Sequence, residues 1–340
     1  MPEKMAPLRR ILITGGSGFI GTNLVEYWRR QGAEVLNLDQ HAPVHPDHGA
    51  NWQALDIRHK EAYVGAATGF RPDVFFHLAA RADLDGKTVA DYDANTVGVE
   101  NTVAAAKASG AERVIFLSSQ LVCTPGYRPK TDEDYCPPNP YGESKVIGEQ
   151  IVRTMSSSTA GDAFAWTLVR PTSLWGPWFR QPYREFFDRV RHGSYVEARH
   201  VRVHKSFGYV GNAAFQLDRL ASCPPEQIHG RVLYLADYEP VLVSGWADMI
   251  RRAWGAPPIR QVPLPLLRAA AVAGDVLKQA GVKGFPITSY RLRNLLTDTP
   301  QDMEPLRRIC GDLPYTQQEG TDATVAWMKA QESGTQEATE

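Results

Sequence analysis

Residues 10–21, RILITGGSGFIG, decide the fold. RILIT is a short apolar run of the kind that fills a buried strand, and it runs directly into glycines at 15, 18 and 21. From Phe19 to Arg30 the apolar and aromatic positions Ile20, Leu24, Tyr27 and Trp28 fall at helical spacing, so the reading is strand, tight turn, helix. Glycines at those three places let the backbone turn sharply, admit a pyrophosphate, and pack the helix closely on the strand. The N–H groups opening the helix, at Phe19 and Ile20, would then point at phosphate, where the helix dipole also favours negative charge.

The next apolar run, Glu34 to Leu38, ends in Asp39, the acidic partner this turn needs. A carboxylate there accepts hydrogen bonds from an adenosine ribose and repels a 2′-phosphate. The following QHAPVHPDH offers no arginine to offset that repulsion, so NAD is expected rather than NADP. Asp56 in ALDIR, with Ile57 after it, closes a further strand and is expected at the adenine edge.

Farther along, Val74 to Leu78 and Arg113 to Leu117 read as strands, the second preceded by a helical stretch from Asn95 to Ser109. A helix from Tyr141 to about Met155, a flexible SSSTAGD loop and a strand from Phe164 to Val169 follow. Strands separated by helix-length segments imply a doubly wound parallel α/β sheet of the Rossmann type. We expect this domain over residues 9–170, with later segments returning to the sheet. From Pro171 the alternation breaks up, and residues 171–330 are expected to be mainly a smaller C-terminal substrate-binding region. The polar end, 331–340, reads as a disordered tail.

Composition narrows the function classes. The chain has 340 residues, 43% hydrophobic and 22% charged, with a formal net charge of -1. That is an ordinary globular composition with no global field for nucleic acid or an anionic membrane. The four cysteines form no CxxC pair, so reduced thiols and a cytoplasmic setting are expected. No run reaches the roughly 20 apolar residues of a membrane span. The nearest, Val262 to Ala280, carries prolines and charges and reads as a surface or core helix, so no membrane partner is expected.

In YGESK, Tyr141 and Lys145 are four apart and share one helix face. A phenol titrating near pH 10 is a poor proton carrier at neutral pH; an adjacent ammonium favours its phenolate. Ser119, ending the RVIFLSS strand, is placed to hold a substrate oxygen.

With these motifs in place the chain resembles the extended short-chain dehydrogenase/reductase proteins, in particular the NAD-dependent epimerase/dehydratase family acting on nucleotide sugars. The resemblance spans roughly residues 9 to 330. It rests on TGGSGFIG, Asp39, Asp56, HLAA at 77–80, Asn95, FLSS, YGESK and RPTSLWGP at 170–177. It implies that Leu78, Ala79 and Ala80 line the cofactor, that Asn95 braces the active-site helix, and that Lys145 also holds the nicotinamide ribose. Pro171 and Ser173 would lie near the nicotinamide amide, although many relatives carry Asn where Ser173 stands. Arg81, Ser119, Gln120, Leu121 and Ser173 would face the substrate, and a homodimer through helices 95–109 and 141–155 follows by family analogy.

Relatives that dehydrate or epimerise beside a ketone use a second acid-base group two residues after the catalytic Ser or Thr. Here that place is Leu121, which cannot move a proton, so hydride transfer at one carbon remains. We expect a nucleotide-sugar 4-epimerase, with Lys205 and Arg291 or Arg293 as cations for a nucleoside diphosphate. Two rivals are a dehydrogenase/reductase of a keto-sugar or sterol-like alcohol, suggested by PLPLLRAAAVAGDVL, and an NAD-sensing regulator without turnover. His41, His45 and His48 lie in a proline-containing loop without a helical frame or supporting carboxylate, so a surface loop and no metal are expected. Trp175 and Trp178 fit either core packing or a stacking role at a pocket mouth.

Overall fold

The computed structural model describes residues 9–156, 164–180, 183–279 and 288–337. The SSSTAGD loop lies, apart from Ser156, outside them. The chain forms two compact units: residues 1–174, 208–236 and 302–314 make the first; 175–207, 237–301 and 315–340 make the second.

In the first unit, β1 (Arg10–Thr14), β2 (Glu34–Asp39), β3 (Trp52–Ala54), β4 (Val74–His77), β5 (Arg113–Leu117) and β6 (Ala165–Pro171) are followed by β7 (Ser173–Trp175). After β8 (Val196–Ala198), β9 (His204–Lys205) and β10 (Phe207–Tyr209), the chain returns with β11 (Arg231–Leu235). Seven strands make one sheet in the order β11-β6-β5-β4-β1-β2-β3. Every pairing in it is parallel, which makes this the doubly wound α/β sheet expected.

Crossover helices α1 (Phe19–Arg30), α2 (Lys60–Phe70), α3 (Val97–Ser109) and α4 (Pro140–Ser156) cover both faces. Adjacent residues of β4 show the division. Phe75 meets Tyr63 of α2 with ring centroids 6.0 Å apart, and Phe76 meets Trp28 of α1 at 6.2 Å. Successive strand side chains point to opposite faces, and burial on both sides explains the unbroken apolar runs. Because the strands are parallel, β1, β2, β4 and β5 all end on one edge, where Gly15, Asp39, Leu78 and Ser118 follow them.

The second unit contains α5 (Tyr183–Arg191), the β8 strand paired parallel with β13 (Arg260–Val262), and β9 paired antiparallel with β12 (Val241–Leu242). α6 (Val210–Ser222) and α10 (Glu304–Cys310) belong to the first unit; α7 (Val243–Trp254), α8 (Leu264–Gln279), α9 (Ser289–Leu296) and α11 (Gln317–Glu337) belong to the second. Trp175 is fully buried against Phe187 and Trp246 and is a core residue of this unit, whereas Trp178 is half-buried and packs on Trp327 at 5.5 Å.

Two sequence expectations are corrected. α11 continues to Glu337, so seven residues of the stretch read as a disordered tail are helical; residues 338–340 lie outside those described. The histidine segment is a surface loop only in part: His41 is exposed in irregular chain, but residues 46–51 form a 3-10 helix in which His48 is fully buried. His48 stacks on His45 at 4.2 Å and bonds the Glu26 carboxylate at 3.1 Å. The carboxylate missing from the loop thus comes from α1, and the ligand atoms of Glu26, His45 and His48 lie within 4.8 Å of one another. Arg29 and Arg30 also pair with Glu26, so its charge is already balanced. No helix among the described residues is long and apolar enough to cross a membrane.

Candidate active site

The glycine turn is shaped by close approach. Gly15 has φ +74°, and a Cβ on it would lie 2.7 Å from the Ala79 nitrogen. A Cβ on Gly21 would lie 2.1 Å from the Gly15 carbonyl oxygen, which is why α1 can begin so close to β1. Gly18 caps α1 with no side-chain bond, and the first turn holds no acid. Small residues, an uncapped helix start and no competing carboxylate make a cradle that fits a dinucleotide's pyrophosphate.

Asp39 closes the cradle on one side. Its carboxylate accepts from the Ser17 N–H at 3.1 Å and the His41 N–H at 2.9 Å, which fix its direction. Leu78 and Ala79 continue β4 beside the turn, their N–H groups donating to Thr14 carbonyl and hydroxyl oxygens at 3.1 and 3.4 Å. Asp56 is gripped by the Arg58 guanidinium, closest contact 2.6 Å, and that arginine also reaches Asp93. Ile57 is buried, its carbonyl accepting from Asn101 at 2.9 Å.

Ser119, Tyr141 and Lys145 are all buried and come together at the end of β5 and the start of α4. The Ser119 hydroxyl lies near the Tyr141 phenol and lowers it, and it accepts from the Leu121 N–H at 3.1 Å. Gly142 allows this approach, since a Cβ there would lie 2.2 Å from the Leu121 carbonyl oxygen. Lys145 donates to the Leu117 carbonyl at 3.1 Å.

Electrostatics here differ from the sequence expectation. Burial is the largest influence on Tyr141 and pushes its phenol up, with the Ser119 hydrogen bond pulling it back down. The lowering by Lys145 expected from the sequence is not among the influences on Tyr141. Burial also pushes Lys145 down to about 8, with the Glu149 carboxylate opposing.

Asn95 ties the neighbouring pieces together. Its amide donates to Ser144 on α4 at 2.9 Å and to the Arg81 carbonyl at 3.0 Å, and it accepts from the Arg81 N–H at 2.9 Å. The Arg81 guanidinium points elsewhere, pairing with Asp83 at 2.8 Å and lying 5.1 Å over the Tyr92 ring. Tyr92 in turn meets Tyr141 edge-on at 5.8 Å. Gln120 and Leu121 are partly buried in the turn after Ser119; Pro171 ends β6, and Ser173 is buried at the start of β7. In the second unit, Lys205 donates to the Asn294 carbonyl at 2.8 Å, which ties β9 to the helix bearing exposed Arg291 and Arg293.

Sequence reasoning missed the polar network behind this site. Glu149 and Arg170, each 1% exposed, form a two-point ion pair at 2.8 and 2.7 Å. Ser118, next to Ser119, donates to Glu149 at 2.6 Å, and the Tyr135 hydroxyl donates at 3.0 Å. Glu149 lies four residues after Lys145 on α4, a spacing that signals a shared helix face. Asn37, a fully buried amide inside the apolar β2, was also missed; it donates to Ser17 at 3.1 Å and crowds Gly16. His77, buried beneath the turn, contacts the Thr14 and Thr102 hydroxyls at 2.9 and 3.0 Å, and burial pushes it down to about 3.

Comparison with known proteins agrees with this geometry. A 2-alkyl-3-oxoalkanoate reductase of Stenotrophomonas maltophilia is 27% identical over 90% of this chain and 94% of its own. An N-acetyl-alpha-D-glucosaminyl-diphospho-ditrans,octacis-undecaprenol 4-epimerase of Escherichia coli O157:H7 is 26% identical over 93% of this chain and 94% of its own. The solved UDP-glucose 4-epimerase of Thermus thermophilus in complex with NAD superposes with a TM-score of 0.69 at 22% identity, covering 94% of this chain and 99% of that one. The sequence model described as the NAD dependent epimerase/dehydratase family matches residues 11–220. A dinucleotide cradle at Gly15–Gly21, a Ser119–Tyr141–Lys145 cluster beside it and a family match across most of the chain lead to one conclusion: this protein is a member of the NAD-dependent epimerase/dehydratase family, an enzyme family that uses NAD.

Proposed function

We propose that the protein epimerises a nucleoside-diphosphate sugar, at C4, by removing and returning hydride at a single carbon. The observation that carries this reading is the composition of the reacting group. Ser119 lies close enough to Tyr141 to lower its phenol, while Leu121 stands where a second acid-base side chain would be needed for dehydration. NAD supplies the hydride acceptor and donor. Ser119 holds the substrate oxygen and offsets part of the upward push of burial on Tyr141, Tyr141 takes the substrate proton and returns it, and Lys145 orients the ribose.

For the cofactor, Gly15, Gly18 and Gly21 with the Phe19 and Ile20 N–H groups take the pyrophosphate, and Asp39 takes the adenosine ribose. Asp56 and Ile57 border the adenine; Leu78, Ala79, Ala80 and Asn95 line the cleft; Pro171 and Ser173 face the amide. On the substrate side we assign Arg81 through its backbone, Gln120, Leu121 and Ser173. Lys205, Arg291 and Arg293 are assigned to the diphosphate. The link from Lys205 to Asn294 supports the last assignment by bringing the three cations to one helix. A cytoplasmic setting suits the four free cysteines. A homodimer through α3 and α4 completes the reading, and sedimentation as a monomer only would overturn that part.

A second reading, reduction of a ketone on a hydrophobic substrate, draws support from the reductase among the relatives and from the apolar surface of α8. Incubating purified protein with a panel of nucleotide sugars and no added cofactor separates the two. Epimer formation without net change in reduced cofactor is the expected result. Conversion only with stoichiometric external NAD(H) replaces epimerisation with reduction, and NAD binding without turnover of any ketone or sugar points to a sensor.

A further inference from the structure

Helices α8 and α9 carry apolar side chains that stay exposed among the described residues. Among the described residues eleven large hydrophobic side chains are exposed, and six of them, Leu266, Val272, Val276, Leu277, Tyr290 and Leu295, belong to these two short helices. Such clustering is what distinguishes a docking face from the scattered apolar residues of any surface.

The arrangement follows from the sequence. On α8, Leu267 and Ala271 turn inward and, with Leu292 of α9, cover Val196 and Ala198 of β8 and Val262 of β13. Both helices therefore lie on one face of that two-stranded ladder. The opposite stripe of α8 is normally polar on a surface helix. Here it reads Leu266, Ala269, Val272, Ala273, Val276, all exposed and each three or four residues from another member of the stripe. α8 is thus apolar on both sides, although among the described residues only one side has a packed partner.

Charge identifies the partner. α8 and α9 together contain four basic residues, Arg268, Lys278, Arg291 and Arg293, and one acid, Asp275. That acid is engaged within the pair, its carboxylate accepting from the Ser289 N–H at 3.2 Å. Arg268, Arg291 and Arg293 are exposed. A wide apolar stripe bordered by cations, on a helix of 16 residues that is too short to span a bilayer, matches an element lying in the headgroup region of an anionic membrane. A second copy of the chain fits less well, since a twofold contact would bring like-charged rims together.

We propose that the outer face of α8 and α9 binds peripherally to an anionic lipid surface, which departs from the sequence expectation of no membrane partner. The inference stands on the surface alone; it takes Arg291 and Arg293 for the lipid face in place of the diphosphate assignment and leaves the rest of the proposed reaction untouched. Its test is flotation of the full-length protein with vesicles of phosphatidylcholine, with and without phosphatidylglycerol. Expected are co-flotation with the anionic vesicles only, weakening as salt rises, and at least about a tenfold loss of the bound fraction in Val272→Glu/Val276→Glu. Unchanged NAD stoichiometry and thermal midpoint in that variant show that it remains folded. Failure of the wild-type protein to float with either vesicle overturns the proposal, as does undiminished binding by the variant. A lipid-free dimer that the two substitutions convert to monomer assigns the face to a second copy instead.

Discussion

Replacing Glu149 by Gln is the most informative single change to the architecture behind the site. It leaves the shape almost unaltered and removes the charge that two Arg170 bonds, the Ser118 hydroxyl and the Tyr135 hydroxyl converge on. Both ionic partners are 1% exposed, so the Arg170 guanidinium would be stranded in a site that water cannot reach. Breaking such a pair costs about 3–5 kcal/mol. For a unit of roughly 200 residues each kcal/mol moves the thermal midpoint by about 2–4 °C, so the expected loss is about 6–20 °C. Removing both partners, Glu149→Leu with Arg170→Met, should recover more than half of that, because no uncompensated charge remains. There is a functional consequence as well: without Glu149 nothing offsets the burial of Lys145, and its titration falls below about 8. Thermal unfolding followed by circular dichroism measures the first effect, and the alkaline limb of the pH–rate profile measures the second. A single variant that loses less than about 1 kcal/mol, or a double variant no better than the single, would refute the reasoning about a stranded guanidinium.

Three further outcomes are expected. The wild-type enzyme should lose rate as pH rises through about 8, where Lys145 gives up its proton, and Lys145→Arg should remove that limb from the profile. His77 is held neutral by burial, down to about 3 against an unfolded value near 6.5. Its contribution to stability is therefore complete above pH 6.5 and lost as pH falls toward 3, on the order of 4 kcal/mol in all, so urea midpoints measured across that window should decline less steeply in His77→Asn. Gly21→Ala would press a methyl group on the Gly15 carbonyl and displace α1 from the turn. Calorimetry should find NAD binding weakened at least about a hundredfold, and near-normal affinity would remove the close approach from the account.

What could be read from sequence was what lies close along the chain. The glycine turn, Asp39 at a strand end and the four-residue step from Tyr141 to Lys145 are local patterns whose geometry follows from strand and helix periods alone. The long-range partners were hidden. Glu149 and Arg170 are 21 residues apart and meet only because α4 packs beside β6, and Glu26 and His48 meet only because the segment after β2 folds back on α1. The direction of the Tyr141 shift was misjudged for a related reason. Spacing shows that a lysine is near, but only the fold shows that the phenol is buried and that the ammonium is already bonded to Leu117. The last seven residues of α11 were read as a tail because QESGTQE is polar on every side, a pattern that carries no helical period.

Tyr141 is the proposed proton carrier for hydride transfer at the substrate carbon whose oxygen Ser119 holds. The most direct test of this role compares wild type and Tyr141→Phe in a single turnover with the best substrate from the sugar panel, following the near-ultraviolet absorbance of reduced cofactor while NAD occupancy is measured in parallel. Removing only the hydroxyl should slow formation of reduced cofactor by about 10²–10⁴-fold with NAD occupancy unchanged; a rate within about threefold of wild type would contradict the role given to Tyr141.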